Sequence, residues 1–200
     1  MSHKRFPVRI PRFAPGIRMQ ETRTGASRSW WARAWRTILE DMGLKARLGR
    51  GRNYAMGGQV IKMELEGSRV RALVQGTREE PYRVEIAFTE PEGEVRALVL
   101  RDLKAEPILL ARLLAGDLPY EVDDIFRRYG ASLFPGGRLA DGADGKRRYD
   151  VTTSCRCPDY ANPCKHSSAV LLLLGEEIAR RPLTLLELRG FTLEDLIHEN

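Results

Sequence analysis

Residues 60–74 read VIKMELEGSRVRALV. Ile61, Met63 and Leu65 alternate with Lys62, Glu64 and Glu66. Val70, Ala72 and Val74 then alternate with Arg69, Arg71 and Gln75, with Leu73 the one exception. A side-chain period of two is that of a strand with one apolar and one polar face. Between the two runs, Gly67-Ser68 has the length of a tight hairpin turn. Beyond a loop containing Pro81, Tyr82, Val84, Ile86 and Phe88 alternate with Arg83 and Glu85, which predicts a third strand. Three such runs in succession predict an antiparallel β-meander whose apolar face needs a cover of helices. The expected fold class is therefore α+β.

Working toward the N-terminus, residues 1–27 contain Pro7, Pro11, Pro15 and several Gly and Ser without sustained periodicity, which predicts a flexible basic arm. Ser27 or Ser29 can cap a helix from about Trp30 to Met42, and Gly43 is its expected stop. Trp31, Ala34, Trp35, Ile38 and Met42 form one apolar stripe at helical spacing. Trp31 and Trp35 are expected in the core, whereas Trp30 falls off the stripe and is expected at the surface. Residues 47–58, RLGRGRNYAMGG, interleave Arg47, Arg50 and Arg52 with Gly49 and Gly51 ahead of Tyr54. The segment reads as a basic turn before the first strand. Glycine lets backbone approach a phosphate and arginine can bridge phosphate oxygens, so it is also a candidate phosphate contact. It is not a P-loop, since the terminal Lys-Ser/Thr is missing, and no strand precedes it as a dinucleotide fingerprint requires.

Toward the C-terminus the period changes to that of helices. Val95, Leu98 and Val99 begin one, Pro107 interrupts it, and Leu109, Leu110, Leu113 and Leu114 continue in a second that ends at Gly116. Val122, Ile125, Phe126 and Tyr129 mark a short helix closed by Gly130. Leu133 to Gly137 is a breaker, residues 138–146 suggest a hairpin loop, and residues 148–153 a strand. This gives an expected organisation of a 1–27 arm, a 28–130 α+β domain, a 131–190 metal-binding region and a 191–200 helical tail.

That strand leads into SCRCPDYANPCKH, residues 154–166. All three cysteines of the chain, and one of its three histidines, fall at Cys155, Cys157, Cys164 and His166. Structural zinc takes four thiolate or imidazole ligands in a tetrahedron, and the Cys-x-Cys-x6-Cys-x-His pattern offers that number. Pro158 and Pro163 stiffen the connecting turn. Asn162 can cap a helix with Pro163 at its first position, which would put Cys164 and His166 in the first turn, where thiolates gain from the helix dipole. Ala169, Val170, Leu173 and Leu174 continue that helix. Four such ligands around one Zn2+ leave no position for a catalytic water, so the expected ion is structural. Three clustered cysteines are also too few for a secreted disulfide scaffold.

CPDYANPCKH followed by an apolar helix resembles the SWIM zinc finger. RSWWARAW, GRGRNYAMGGQV and the PLTLLELRG of residues 182–190 are similar to segments of bacterial stand-alone SWIM proteins. Tyr160 stands where a tryptophan is common in that family. The resemblance implies a C-terminal ββα-like finger, metal roles for Cys155, Cys157, Cys164 and His166, and no catalytic activity. It also implies contact with DNA or a protein partner, and an association with Swi2/Snf2-type helicase ATPases.

Charge divides the chain. Residues 1–58 hold 13 Lys/Arg against 3 Asp/Glu, and residues 59–200 hold 20 against 24. A basic segment carrying Trp and Tyr is the footprint of a polyanion partner. The expected function is that of a zinc-binding, non-catalytic accessory protein that binds nucleic acid, DNA ahead of RNA. Arg47, Arg50, Arg52, Tyr54, Arg147, Arg148, Arg156 and Lys165 are the expected contacts. The alternative is an adaptor whose finger docks a protein without touching nucleic acid. Nothing suggests a small-molecule substrate. No apolar run approaches the roughly 20 residues of a membrane span, and no h-region follows the basic N-terminus, so a cytoplasmic location is expected.

Overall fold

The structure is a computed structural model that describes residues 10–20, 29–134, 138–139, 148–159 and 161–197, with side chains 43–46, 138, 139, 148 and 149 excepted. The three alternating runs form β1 (Val60–Glu66), β2 (Arg69–Val74) and β3 (Tyr82–Phe88), each antiparallel to the next. Glu66 pairs with Arg69 across the Gly67-Ser68 turn, where Gly67 takes a φ of 57°. Val70, Ala72, Val74, Tyr82, Val84, Ile86 and Phe88 are all buried on one face. A fourth strand completes the sheet. β6 (Val151–Cys155) pairs antiparallel with β3, from Val84↔Cys155 to Phe88↔Val151, giving the order β1-β2-β3-β6. The strand expected over residues 148–153 is broken at Asp150. Residues 148–149 form β5 and pair instead with β4 (Arg138–Leu139).

The break has a physical cause. The carboxylate of Asp150 is turned inward to Arg189, which is 2% exposed. The guanidinium also donates to the carbonyls of Thr89 at 2.6 Å, Phe134 at 2.9 Å and Leu133 at 3.2 Å. A buried charge needs an opposite charge and filled hydrogen bonds, and Arg189 has both.

Helices cover the apolar face as expected. α1 (Trp30–Leu39) is capped by Ser29, whose Oγ accepts from the Ala32 N–H at 3.3 Å. It ends three residues short of the expected Met42, in a π-helical turn over Glu40–Leu44. Trp35 is buried and its Nε1 donates to Leu171 O, fixing α1 on the long helix α6 (Lys165–Arg180). Trp31 is half-buried. Trp30 is not left at the surface as expected. Its ring stacks on Tyr120 at 4.0 Å, and its Nε1 donates to Leu118 O at 2.6 Å, across to the helices that follow the meander.

Residues 45–56 form a helix, α2, rather than the expected basic turn. The reason lies at Gly51, where a Cβ would sit 2.6 Å from the Cβ of Ser168 on α6. The glycine lets two backbones meet, and burial along that contact outweighs its low helix propensity. α3 (Gly93–Lys104), α4 (Pro107–Leu114) and α5 (Tyr120–Arg128) fall where helical spacing predicted them. α7 (Leu183–Leu188) and α8 (Leu193–Ile197) follow α6, and Leu196 of α8 is buried.

Residues 10–20, expected within a flexible arm, are instead bonded to the body of the protein. Arg12 N donates to Gly76 O, Ile17 N to Val60 O and Met19 N to Ala55 O, and Ala14 is buried. The segment expected as a separate finger region supplies β6 and α6, so finger and meander share one sheet and one hydrophobic core.

Candidate metal centre

β6 carries Cys155 at its last residue, opposite the buried Val84, on the face that α6 covers. The chain then leaves the sheet, with Arg156 N donating to Arg83 O, and Cys157 lies in the turn beyond. The return is stiff. Asp159 accepts from Ala161 N at 3.1 Å, and the Asn162 amide donates to Thr153 O at 2.8 Å while its Oδ1 accepts from the Thr153 hydroxyl. Asn162 therefore does not cap the helix as expected. Its side chain is spent on β6, and Cys164 occupies the N-cap of α6, with His166 two residues on. The Cys164 carbonyl accepts from both the N–H and the Oγ of Ser168 at 2.9 Å.

These elements gather three sulfurs and an imidazole so that the four ligand atoms lie within 4.8 Å of one another. His166 Nδ1 is 3.8 Å from the sulfur of Cys155 and 3.7 Å from that of Cys164. Metal–sulfur bonds of about 2.3 Å give tetrahedral edges of roughly 3.5–3.8 Å, so the cluster has the size of a zinc tetrahedron. Cys164 and His166 are buried, while Cys155 and Cys157 are half-buried. The electrostatics also call for a dication. The Cys164 thiol is held far below its ordinary value, chiefly by a hydrogen bond from Cys155 and also by His166 and the Ser167 N–H at the helix start. Cys155 is pushed up by that same bond to Cys164 and by burial, and Cys157 by burial and then by Cys164. Three thiolates this close ionise together only around a cation. The donor set suits one zinc ion, held by Cys155, Cys157, Cys164 and His166 Nδ1.

Packing fixes the imidazole. Tyr54 of α2 meets it edge-on with ring centroids 5.1 Å apart, and Tyr82 of β3 lies over it at 4.6 Å. Gly76 makes room, since a Cβ there would fall 2.3 Å from the Tyr82 ring and 3.4 Å from His166 Nε2. Nε2 has no hydrogen-bond partner among the described residues. The ring is therefore oriented by two tyrosines rather than by the carboxylate or carbonyl usual behind a metal-bound histidine.

Residues 147–175 match the SWIM zinc finger family. The chain carries a SWIM zinc finger. Over 182 residues, 91% of its length, it is 39% identical to the "Uncharacterized protein Rv2102" of Mycobacterium tuberculosis (strain ATCC 25618 / H37Rv), and it spans 62% of that protein's length. No solved structure matches it. Among the described residues, no helix is long and apolar enough to cross a membrane.

The expected nucleic-acid contacts scatter around the SWIM finger. Tyr54 is 8% exposed and serves as a wall of the metal site against His166. Arg50, one helical turn before it, is exposed on α2. Arg47 is half-buried, and Arg52 points to the other side of α2, lining a cleft of about 510 Å³ with α1 and α6. Lys165 sits over the Tyr54 ring with Nζ at 5.7 Å. Arg156 is exposed on the polar face of the sheet beside Arg83. Arg148 belongs to β5, and Arg147 lies outside the described residues. Arg12, Arg78 and Arg83, which sequence reading did not single out, also lie beside the finger. Their signal was weak, because a lone arginine in a loop or on a polar strand face is common.

Proposed function

We propose that this chain is a non-catalytic accessory protein that binds nucleic acid, DNA in preference to RNA, on the surface around its zinc finger, and that it works with a Swi2/Snf2-type helicase ATPase. The observation that supports this reading is the pairing state of the cations. On α3 and α5 and at the end of α6 the arginines are engaged: Arg101 and Arg128 with Asp102, Arg127 with Asp123, Arg180 and the C-cap Arg181 with Glu177. Around the finger, Arg12, Arg50, Arg78, Arg83, Arg156 and Lys165 have no ion pair among the described residues. Cations without a counter-carboxylate are free to neutralise phosphate. A closed Cys3His set supports a structural rather than catalytic ion.

The test is fluorescence anisotropy with labelled single- and double-stranded DNA and RNA across a salt series. Affinity is expected to fall steeply with salt, with a log–log slope of about −0.9 per phosphate neutralised on duplex DNA. Arg83→Glu with Arg156→Glu is expected to weaken binding and flatten that slope. No binding to any nucleic acid at low salt refutes the reading. The adaptor reading would then remain, with support from the exposed apolar Ile108 and Leu114 of α4 and from Tyr120 nearby.

A further inference from the structure

The sheet has two edges, and they are treated differently. Along β6, the Asn162 amide donates to the carbonyl of Thr153 and accepts from its hydroxyl, so the finger's own loop covers the middle of that side. Along β1, the segment of residues 10–20 makes one bridge, Ile17↔Val60, and then turns away to Ala55 through Met19. From Ile61 to Glu66 the outer backbone edge has no partner among the described residues. Such an edge is a template for another strand. Its side chains add to the template: Met63 and Leu65 are only half-buried against the core, and Ile61 is 37% exposed.

We infer that β1 pairs antiparallel with β1 of a second copy, making a two-fold dimer with Met63 opposite Met63. The register follows from the sequence of the strand. Residues directly opposite one another in a ladder share a face, so apolar positions must meet apolar ones and charged must meet charged. Centring on Lys62 or on Glu64 sets like charges face to face, and centring on Leu65 brings Glu64 against Glu66. Centring on Met63 sets Lys62 of each copy opposite Glu64 of the other, twice by symmetry, and the regular ladder ends there, because a β-bulge between Val60 and Lys62 takes Ile61 out of register. Lys62 and Glu64 are already 2.6 Å apart along the strand and about half exposed, so they can exchange partners across the junction at little desolvation cost. The interface is isologous, the same edge of each copy meeting its counterpart.

Sedimentation velocity of the zinc-loaded full chain over the micromolar range tests this. The wild type is expected to dimerise. Lys62→Glu and Glu64→Lys each turn two attractive pairs into two repulsive ones, which should raise the dimer Kd on the order of tenfold. The two single variants mixed together restore opposite charges at every pair, so they are expected to form a heterodimer that neither forms with itself, and K62E/E64K in one chain should dimerise again. Both side chains are exposed, so unchanged circular dichroism and Tm serve as the folding control. A wild type that stays monomeric throughout overturns the proposal. So does a dimer that both single variants leave intact, which would place the contact on the α4 face or the finger.

Discussion

At the residue scale, the four ligands were legible because metal chemistry demands particular residue types at local spacings. Arg189 was not, although an arginine inside the apolar run LTLLELRGF is a hint of a buried charge. Its partners Thr89, Leu133, Phe134 and Asp150 are far away in the chain, and no local pattern pairs them. Burial draws its pKa down and Asp150 opposes that shift, so the guanidinium depends on its acid. Arg189→Met should cost about 3–5 kcal/mol, because it leaves Asp150 charged and three carbonyls short of a donor. Asp150→Asn added to that variant should recover part of the loss. Urea unfolding of both variants measures it, and a double variant no more stable than the single one would refute the charge argument. Tyr54, expected among the nucleic-acid contacts because it follows three arginines, is buried and packs against His166, a contact that no local pattern announces.

At the element scale, the strands and α3 to α5 were legible because periodicity reports which face is buried. α2 was not, because two glycines cost about 1 kcal/mol each in a helix and the compensating contact with α6 is tertiary. The two positions should respond in opposite directions. At Gly49 a Cβ meets nothing within 4 Å, so Gly49→Ala should stabilise by about 0.5–1 kcal/mol. At Gly51 the added methyl collides with Ser168, so Gly51→Ala should destabilise by about 1–3 kcal/mol despite its better helix propensity. Equal shifts in thermal unfolding would refute the close-packing account. Between α3 and α5, Asp102 accepts from Tyr129 Oη at 2.6 Å and from Arg128 at 2.7 Å, as well as from Arg101. Tyr129 and then Arg101 hold its carboxyl below the usual range. Its contribution is therefore present above the ordinary aspartate pKa and lost as pH falls through the depressed one. Asp102→Asn should flatten the acid limb of the stability profile, and a limb of unchanged steepness would count against this pairing.

At the scale of the whole molecule, the meander and its helical cover could be read, but the place of β6 in the sheet could not, since periodicity announces a strand without naming its neighbour. That placement makes the metal a matter for the entire fold. Stripping zinc removes the link between β6 and α6, and α6 lies against α1, α2 and three strands of the sheet. One zinc per chain should be found by elemental analysis. Chelation should lower the midpoint of the single unfolding transition rather than melt the finger alone, since structural zinc can contribute on the order of 10 kcal/mol. A finger that melts separately, with β1 to β3 still protected in hydrogen exchange, would contradict a shared core. The same placement sets an order of events during synthesis. β3 is complete at Phe88, but its second neighbour begins at Val151. At about 5–20 residues per second, a nascent chain spends several seconds with β3 as a bare edge and an apolar sheet face uncovered. The last ligands to leave the ribosome, Cys164 and His166, come at the head of the helix that ends this exposure. Zinc supply thus acts at the closing moment of folding, and a cell short of the metal would lose this protein to proteolysis and aggregation at birth rather than to inactivity afterwards.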